Sequence, residues 1–218
     1  AGANLPVTDL DKKKEDMELK DKLKAIKQSF RLEMNGPVSQ SMRAKGVDYK
    51  INWGIPLVSL NEQAKEYGKD YDLAIALFKE NIRECKILAT LIMPAERMDA
   101  ELADVWLEQT ETQEIAELLA MNLFQYVDYA SVLAFECIAS DKILYQICGY
   151  SLLSRLFGKG MKPNERGINE FLDQAAAALV CDNIGVKHAA MNAVMNFMEL
   201  GREYELIARK ALHNVIDF

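Results

Sequence analysis

Histidine occurs only twice in the 218 residues, as His188 and His213, and cysteine only four times, as Cys85, Cys137, Cys148 and Cys181. None of the cysteines is closely paired with another, so the spacing offers no zinc site, and no metal or other cofactor is expected. Free cysteines of this kind behave as small core residues in a reducing compartment, which points to the cytoplasm. Long apolar runs are missing too. The best candidate, residues 115–124, is interrupted by Glu117 and Asn122, whereas a membrane helix needs about 20 consecutive apolar residues. The N-terminus has no apolar stretch, so no secretory signal is expected; Ala1-Gly2 reads as a processing remnant. There is no glycine-rich phosphate loop, no metal-binding helix motif and no Cys/His nucleophile arrangement. Finally, Lys and Arg are absent from Met98 to Ser140, a segment holding nine acids: Asp99, Glu101, Asp104, Glu108, Glu111, Glu114, Glu117, Asp128 and Glu136.

That last absence shapes the charge map. The net charge is −7, but residues 1–50 hold 11 basic and 8 acidic side chains, and the remainder holds 15 and 25. A phosphate backbone is repelled by most faces of the acid-rich segment. A nucleic-acid surface must use the N-terminal third, the later part of the chain, or a strip that avoids those carboxylates. The segment from residue 99 to 136 suits a protein partner better.

Ala, Leu, Met and Glu, all good helix formers, are abundant. Residues 9–34 read as one amphipathic helix, with Leu19, Leu23, Ile26, Phe30 and Met34 on one face. Its lysines, interleaved with acids, read as a solvated surface with i,i+4 pairs or, alternatively, as a phosphate-contacting strip. Asn35-Gly36-Pro37 stops it. Residues 35–54 then read as a long polar, basic loop, with room for a short helix around Ser41; Arg43, Lys45 and Lys50 lie in it, and Trp53 could stack near a backbone there. Helices follow at 56–67, at 70–79 paired with 81–92, at 99–109 with 113–126, at 128–139 with 142–157, at 165–180 with 183–200, and at 202–215. Trp106 falls on a first helix and reads as packing. Met191, Met195 and Met198 read as core filler.

A repeated triplet of acid, variable residue and isoleucine marks the second helix of each pair: Glu80-Asn81-Ile82, Asp141-Lys142-Ile143 and Asp182-Asn183-Ile184, with a degenerate copy at Glu111-Thr112-Gln113. Aligned on the third residue, the spacings are 31, 30 and 41, the period of stacked helical units. The acid is expected to serve as an N-cap or N-terminal carboxylate. Stacking would set the second helices side by side on one concave surface. Their first turns offer Arg83 and Lys86, then Glu114 and Glu117, then Gln146, then Lys187 and His188.

Gly54-Ile55-Pro56-Leu57-Val58-Ser59-Leu60, continuing to Ala64-Lys65-Glu66, resembles the segment that opens the first repeats of the HEAT-like DNA alkylation repair proteins. Leu77-Phe78, then Asn81-Ile82-Arg83-Glu84-Cys85-Lys86 and Ala89, resemble their next element; Ser140-Asp141-Lys142-Ile143 with Gln146, and Val186-Lys187-His188-Ala189, continue it in order. The resemblance covers roughly residues 50 to 200. It implies an all-α fold, an α-solenoid coiled as a right-handed superhelix of HEAT-like antiparallel helix pairs. Residues 1–218 would form one helical-repeat domain, with 1–54 an N-terminal helix and basic loop and 55–218 the repeats. It also implies a monomer that binds duplex DNA on a concave face and excises alkylated purines without flipping them from the stack. A carboxylate beside the anomeric carbon stabilises the charge developing there. That carboxylate falls at Glu117, one methylene longer than the family's aspartate. The family's two cleft tryptophans fall at Gln113 and Asn192, and its arginine at Ile147. The DNA contacts implied are Arg43, Lys45, Lys50, Arg83, Lys86, Lys187 and His188. A noncatalytic scaffold holding a protein partner is the alternative.

Overall fold

The computed structural model describes residues 8–218; Ala1-Gly2 lies outside them. Among the described residues the secondary structure is helical, apart from one isolated bridge between Ile51 and Ile82. The chain divides after Met93 into two compact units.

The first unit contains α1 (Asp9–Glu33), α2 (Gly36–Ala44), α3 (Leu57–Tyr67), α4 (Tyr71–Phe78) and α5 (Arg83–Ile92). A capping box starts α1: Thr8 Oγ1 accepts from the Asp11 amide at 3.2 Å, and the Asp11 carboxylate accepts from the Thr8 amide at 3.2 Å. Only Ile26 and Phe30 of its expected apolar face are buried, because α1 packs on α4 through its C-terminal half. Lys22 and Lys27 reach across to Asp70 and Glu80, at 3.5 and 2.8 Å, rather than forming pairs along the helix. The expected loop at 35–54 contains a helix. Asn35 Oδ1 accepts from the Val38 amide at 3.1 Å, and Pro37 sits in the first turn of α2, where its missing N–H costs nothing. The triplet that stops α1 therefore also starts α2. Gly54, at φ 69°, follows; a side chain there would run into the backbone of Asn35 and Ser39.

The second unit contains α6 (Ala100–Glu108), α7 (Gln113–Asn122), α8 (Ala130–Ile138), α9 (Ile143–Gly158), α10 (Glu165–Leu179), α11 (Ile184–Met198) and α12 (Arg202–Leu212). The helix expected over 113–126 leaves its path at Leu123 and ends in a 3-10 turn over Phe124–Tyr126, which lets the adjacent Leu123 and Phe124 both reach the core. α9 is the centre of the unit, packed against α7, α8 and α11, and α11 in turn packs on α10 and α12. Gly149 allows α8 and α9 to touch: a Cβ there would lie 2.7 Å from Cys137 Cβ and 2.8 Å from the Ile138 backbone nitrogen. Phe157, Phe171 and Phe197 join α9, α10 and α11, with ring centroids 5.1 to 5.5 Å apart, spacings at which aromatic pairs add about 1 kcal/mol each beyond area burial. Met195 is exposed rather than core filler, whereas Trp106 is buried as expected.

The repeated triplets mark the starts of α5, α7, α9 and α11, but the acids are not the caps. The middle residue takes that position in three of them. Thr112 Oγ1 accepts from the Ile115 amide at 3.3 Å, Asn183 Oδ1 accepts from the Val186 amide at 3.0 Å, and Lys142 caps α9 through its backbone conformation alone. In α5 the cap is Ile82, likewise without a side-chain bond.

Candidate functional site

The residues expected to contact DNA separate sharply by burial. Arg83 and Lys86 are 1% and 7% exposed, which corrects their placement on an accessible face. Arg83 Nη1 donates to the Ile55 carbonyl at 2.9 Å and to Glu84 Oε1 at 3.3 Å. Glu84 Oε1 also accepts from the backbone amides of Trp53, at 2.9 Å, and Ile55, at 3.3 Å. Lys86 Nζ donates to the Phe78 carbonyl at 2.9 Å and lies 4.3 Å from the centre of the Phe78 ring. So Arg83-Glu84 fastens the Gly54-Ile55 segment to α5, and Lys86 fastens the end of α4. These motifs are architectural: buried charges persist only when paired and hydrogen-bonded. Arg43, Lys45 and Lys50 are exposed at the end of α2 and in the segment after it, and His188 is exposed on α11 beside the half-buried Lys187.

In the second unit, α9 lies between α7 and α11, so second helices of successive pairs do sit side by side. Three of the four positions matched to the family's cleft come together at the start of this layer. Gln113 Nε2 donates to Glu117 Oε1 at 2.8 Å, one turn along α7. A Cβ on Gly185 of α11 would meet both the Gln113 carboxamide and, at 3.1 Å, Ile147 Cδ1. Ile147, the position matched to the family's arginine, is buried. Glu117 is exposed. Asn192 lies apart, seven residues beyond Gly185 along α11, which is about 10 Å at 1.5 Å per residue.

Asn192 borders a hollow near the other end of α9, of about 500 Å³, lined by Gln125, Ser154, Arg155, Gly158, Lys159 and Asn196 as well. No carboxylate lines it. Arg155 is exposed, and its side chain has no hydrogen-bond or ion-pair partner among the described residues. Lys159 Nζ donates to the Gln125 carbonyl at 3.3 Å and lies 4.5 Å from the centre of the Tyr126 ring. Asn196 Nδ2 donates to Ser154 Oγ at 2.7 Å and to the Asn192 carbonyl at 2.9 Å. Neither Arg155 nor Lys159 stands at an aligned repeat position, so the periodicity gave no reason to single them out.

The acid-rich segment is divided between faces. Asp99 caps α6, accepting from the Leu102 amide at 2.7 Å. Glu101, Asp104 and Glu136 border a groove of about 570 Å³ between α6 and α8, with Leu107, Val132 and Leu133 among its apolar walls. Tyr145 donates to Asp104 at 3.2 Å and to Glu108 at 2.9 Å, and Glu108 also pairs with Lys142. Those bonds from Lys142 and then Tyr145 hold the Glu108 carboxyl below its usual range. Only Glu114 and Glu117 of the nine acids lie on α7 itself. Among the described residues no cluster suited to a metal occurs, and no helix is long and apolar enough to cross a membrane.

Helix pairs whose second members, α7, α9 and α11, pack side by side are the architecture of a HEAT-like helical-repeat protein. The family model described as "DNA alkylation repair enzyme" matches residues 26–192, and the chain belongs to that family. A solved structure described as "a new family of proteins related to the HEAT-like repeat DNA glycosylases with affinity for branched DNA structures" superposes with a TM-score of 0.75 at 17% identity, over 87% of this chain and 82% of the other. No curated protein matches the sequence.

Proposed function

We propose that this protein binds DNA on the face formed by α7, α9 and α11, and that it holds branched or otherwise open DNA without excising bases. Family membership supports DNA as the ligand. The affinity for branched DNA described for the structurally similar protein suggests its form. The observation that carries the reading is the Glu117 carboxylate, exposed and already engaged by the Gln113 amide. Stabilising the cation that forms as a glycosidic bond breaks requires a carboxylate in a dry, preorganised site. In water two unit charges 4 Å apart gain about 1 kcal/mol, against about 4 kcal/mol at the effective dielectric of a protein surface. Glu117 stands at a protein surface, where the larger figure applies, and about 4 kcal/mol is half of the ~8 kcal/mol or more by which enzymes typically lower a barrier. Gln113 and Asn192 replace the aromatic walls, and buried Ile147 replaces the arginine, so those three matched positions do not supply the difference.

A base-release assay on N-methylated duplex DNA, run beside equilibrium binding to a four-way junction, tests this. Junction binding with no release of 7-methylguanine is the expected result. Release by the wild type that disappears in Glu117→Gln would instead make the protein a glycosylase. A second reading is favoured by the groove between α6 and α8: its apolar walls and the acids Glu101, Asp104 and Glu136 suit a lysine-rich amphipathic segment of a protein partner. Binding of such a peptide, abolished by Glu136→Lys, would support it, and peptide binding indifferent to that change would remove it.

A further inference from the structure

The hollow bordered by Arg155 and Lys159 is unlike the rest of its unit. Residues 94–218 carry 19 acidic and 10 basic side chains, yet this concavity of about 500 Å³ is lined by two cations, polar groups and no carboxylate. We infer that it is a phosphodiester-binding subsite, which takes one backbone phosphate of DNA lying across α9 and α11. This assignment rests on the DNA-binding reading above and adds the place at which the strand is held.

The donors are available. The guanidinium of Arg155 has no partner among the described residues, and a guanidinium presents five N–H groups in a planar fork that fits two phosphate oxygens at once. A cation is also favoured by the end of α9 on its own account, through the helix dipole. The carbonyls there are nonetheless satisfied without it: Lys159 N donates to the Arg155 and Leu156 carbonyls at 3.1 and 3.2 Å, Gly160 N to Phe157 at 2.8 Å, and Met161 N to Leu156 at 3.0 Å. Arg155 is therefore not occupied in closing the helix. Lys159 is held at the rim by the Gln125 carbonyl and the Tyr126 ring, and its ammonium keeps two further donors. The Asn192 side chain also has no partner among the described residues, so its amide can donate into the same space. Gly158 also lines the hollow, and a Cβ there would make only an ordinary contact, 3.6 Å from Asn196 Oδ1.

The position matched to the family's arginine does not supply a cation here. It is buried Ile147, and Arg155 stands eight residues later on the same helix, about 12 Å along its axis. Arg155 therefore stands toward the other end of the layer from Glu117, in the hollow that Asn192 also lines.

The test is equilibrium binding of a fluorescein-labelled four-way junction to wild type, Arg155→Ala/Lys159→Ala and Lys142→Ala across a salt series. Lys142→Ala removes the same kind of charge from a residue already paired with Glu108, away from the hollow. The double variant should bind about tenfold more weakly at ~0.1 M salt, and its slope of log K against log salt should fall by about 1 to 2, as expected for one or two lost phosphate contacts. Lys142→Ala should leave the slope unchanged. Both variants should keep the wild-type unfolding midpoint. Junction binding by the wild type with affinity and slope unaltered in the double variant overturns the subsite and leaves the DNA-binding reading intact. An equal loss in Lys142→Ala overturns it too, since net charge alone would then explain the effect. A wild type that binds no DNA overturns both.

Discussion

Glu84 shows how far a side chain's role depends on what faces it. It follows Arg83 in a motif that a periodic reading assigns to a ligand-facing surface, yet it is fully buried, and one of its oxygens accepts from Trp53 N, Ile55 N and Arg83 Nη1. Removing one partner of a buried pair typically costs about 3–5 kcal/mol, so Glu84→Ala should lower the free energy of unfolding in urea by that order. Glu84→Gln, which keeps an acceptor oxygen for the two amides, should cost less. Equal and small losses would mean that the carboxylate does not anchor the Gly54-Ile55 segment. Tyr129 gives a pH-dependent counterpart. Its hydroxyl donates to the Met98 carbonyl at 2.6 Å, and burial, then the charges of Asp99 and Asp128, push its pKa up to about 12. Tyrosine in an unfolded chain ionises near pH 10, so between about pH 10 and 12 the folded state holds a proton that the unfolded state has released. The contribution is complete below pH 10 and is lost as pH rises through 12. Denaturation midpoints should fall over that window, less steeply in Tyr129→Phe, which should also be about 1 kcal/mol less stable at pH 8 for want of the hydrogen bond. An unchanged pH slope in the variant would contradict this.

At the scale of helices, much was legible and the errors are instructive. The triplets located the starts of α5, α7, α9 and α11 because a helix start needs extended backbone and a group to meet its free amides. They misassigned the cap, since Thr112 and Asn183 have short side chains with the reach for an amide three residues on, and the preceding acids lie a residue too early. α2 was legible only as an option inside a loop, because Asn35-Gly36-Pro37 encodes both an end and a beginning. The contacts between helices were not legible at all. Gly149→Ala places a methyl group within 2.8 Å of the Ile138 backbone nitrogen, which cannot swing aside. It should destabilise by about 1–3 kcal/mol, as overpacking does, measured by thermal unfolding; a neutral result would mean that α8 and α9 can slide apart. Gly185→Ala instead meets the end of the Gln113 side chain, which can move, so its effect should be on the Gln113–Glu117 bond rather than on stability.

For the whole molecule, the sequence reading recovered the all-α class and the repeat family. The shortage of Lys and Arg between residues 98 and 140 argued against DNA; six of the nine acids fall on α6 and α8 or their flanks, where Asp104 and Glu108 are engaged by Tyr145 and Lys142 at the start of α9, and Glu114 and Glu117 stand on α7. The basic residues of α9, its C-cap and α11, Arg155, Lys159 and Lys187, come from positions that no single period aligns. The most direct test of DNA binding without excision follows one sample of wild-type protein with a four-way junction carrying 7-methylguanine, measuring affinity across a salt series and then free base after prolonged incubation. Binding that weakens steeply as salt rises, with no base released above the protein-free control, is the predicted result; liberated 7-methylguanine, or no binding even at low salt, would contradict it.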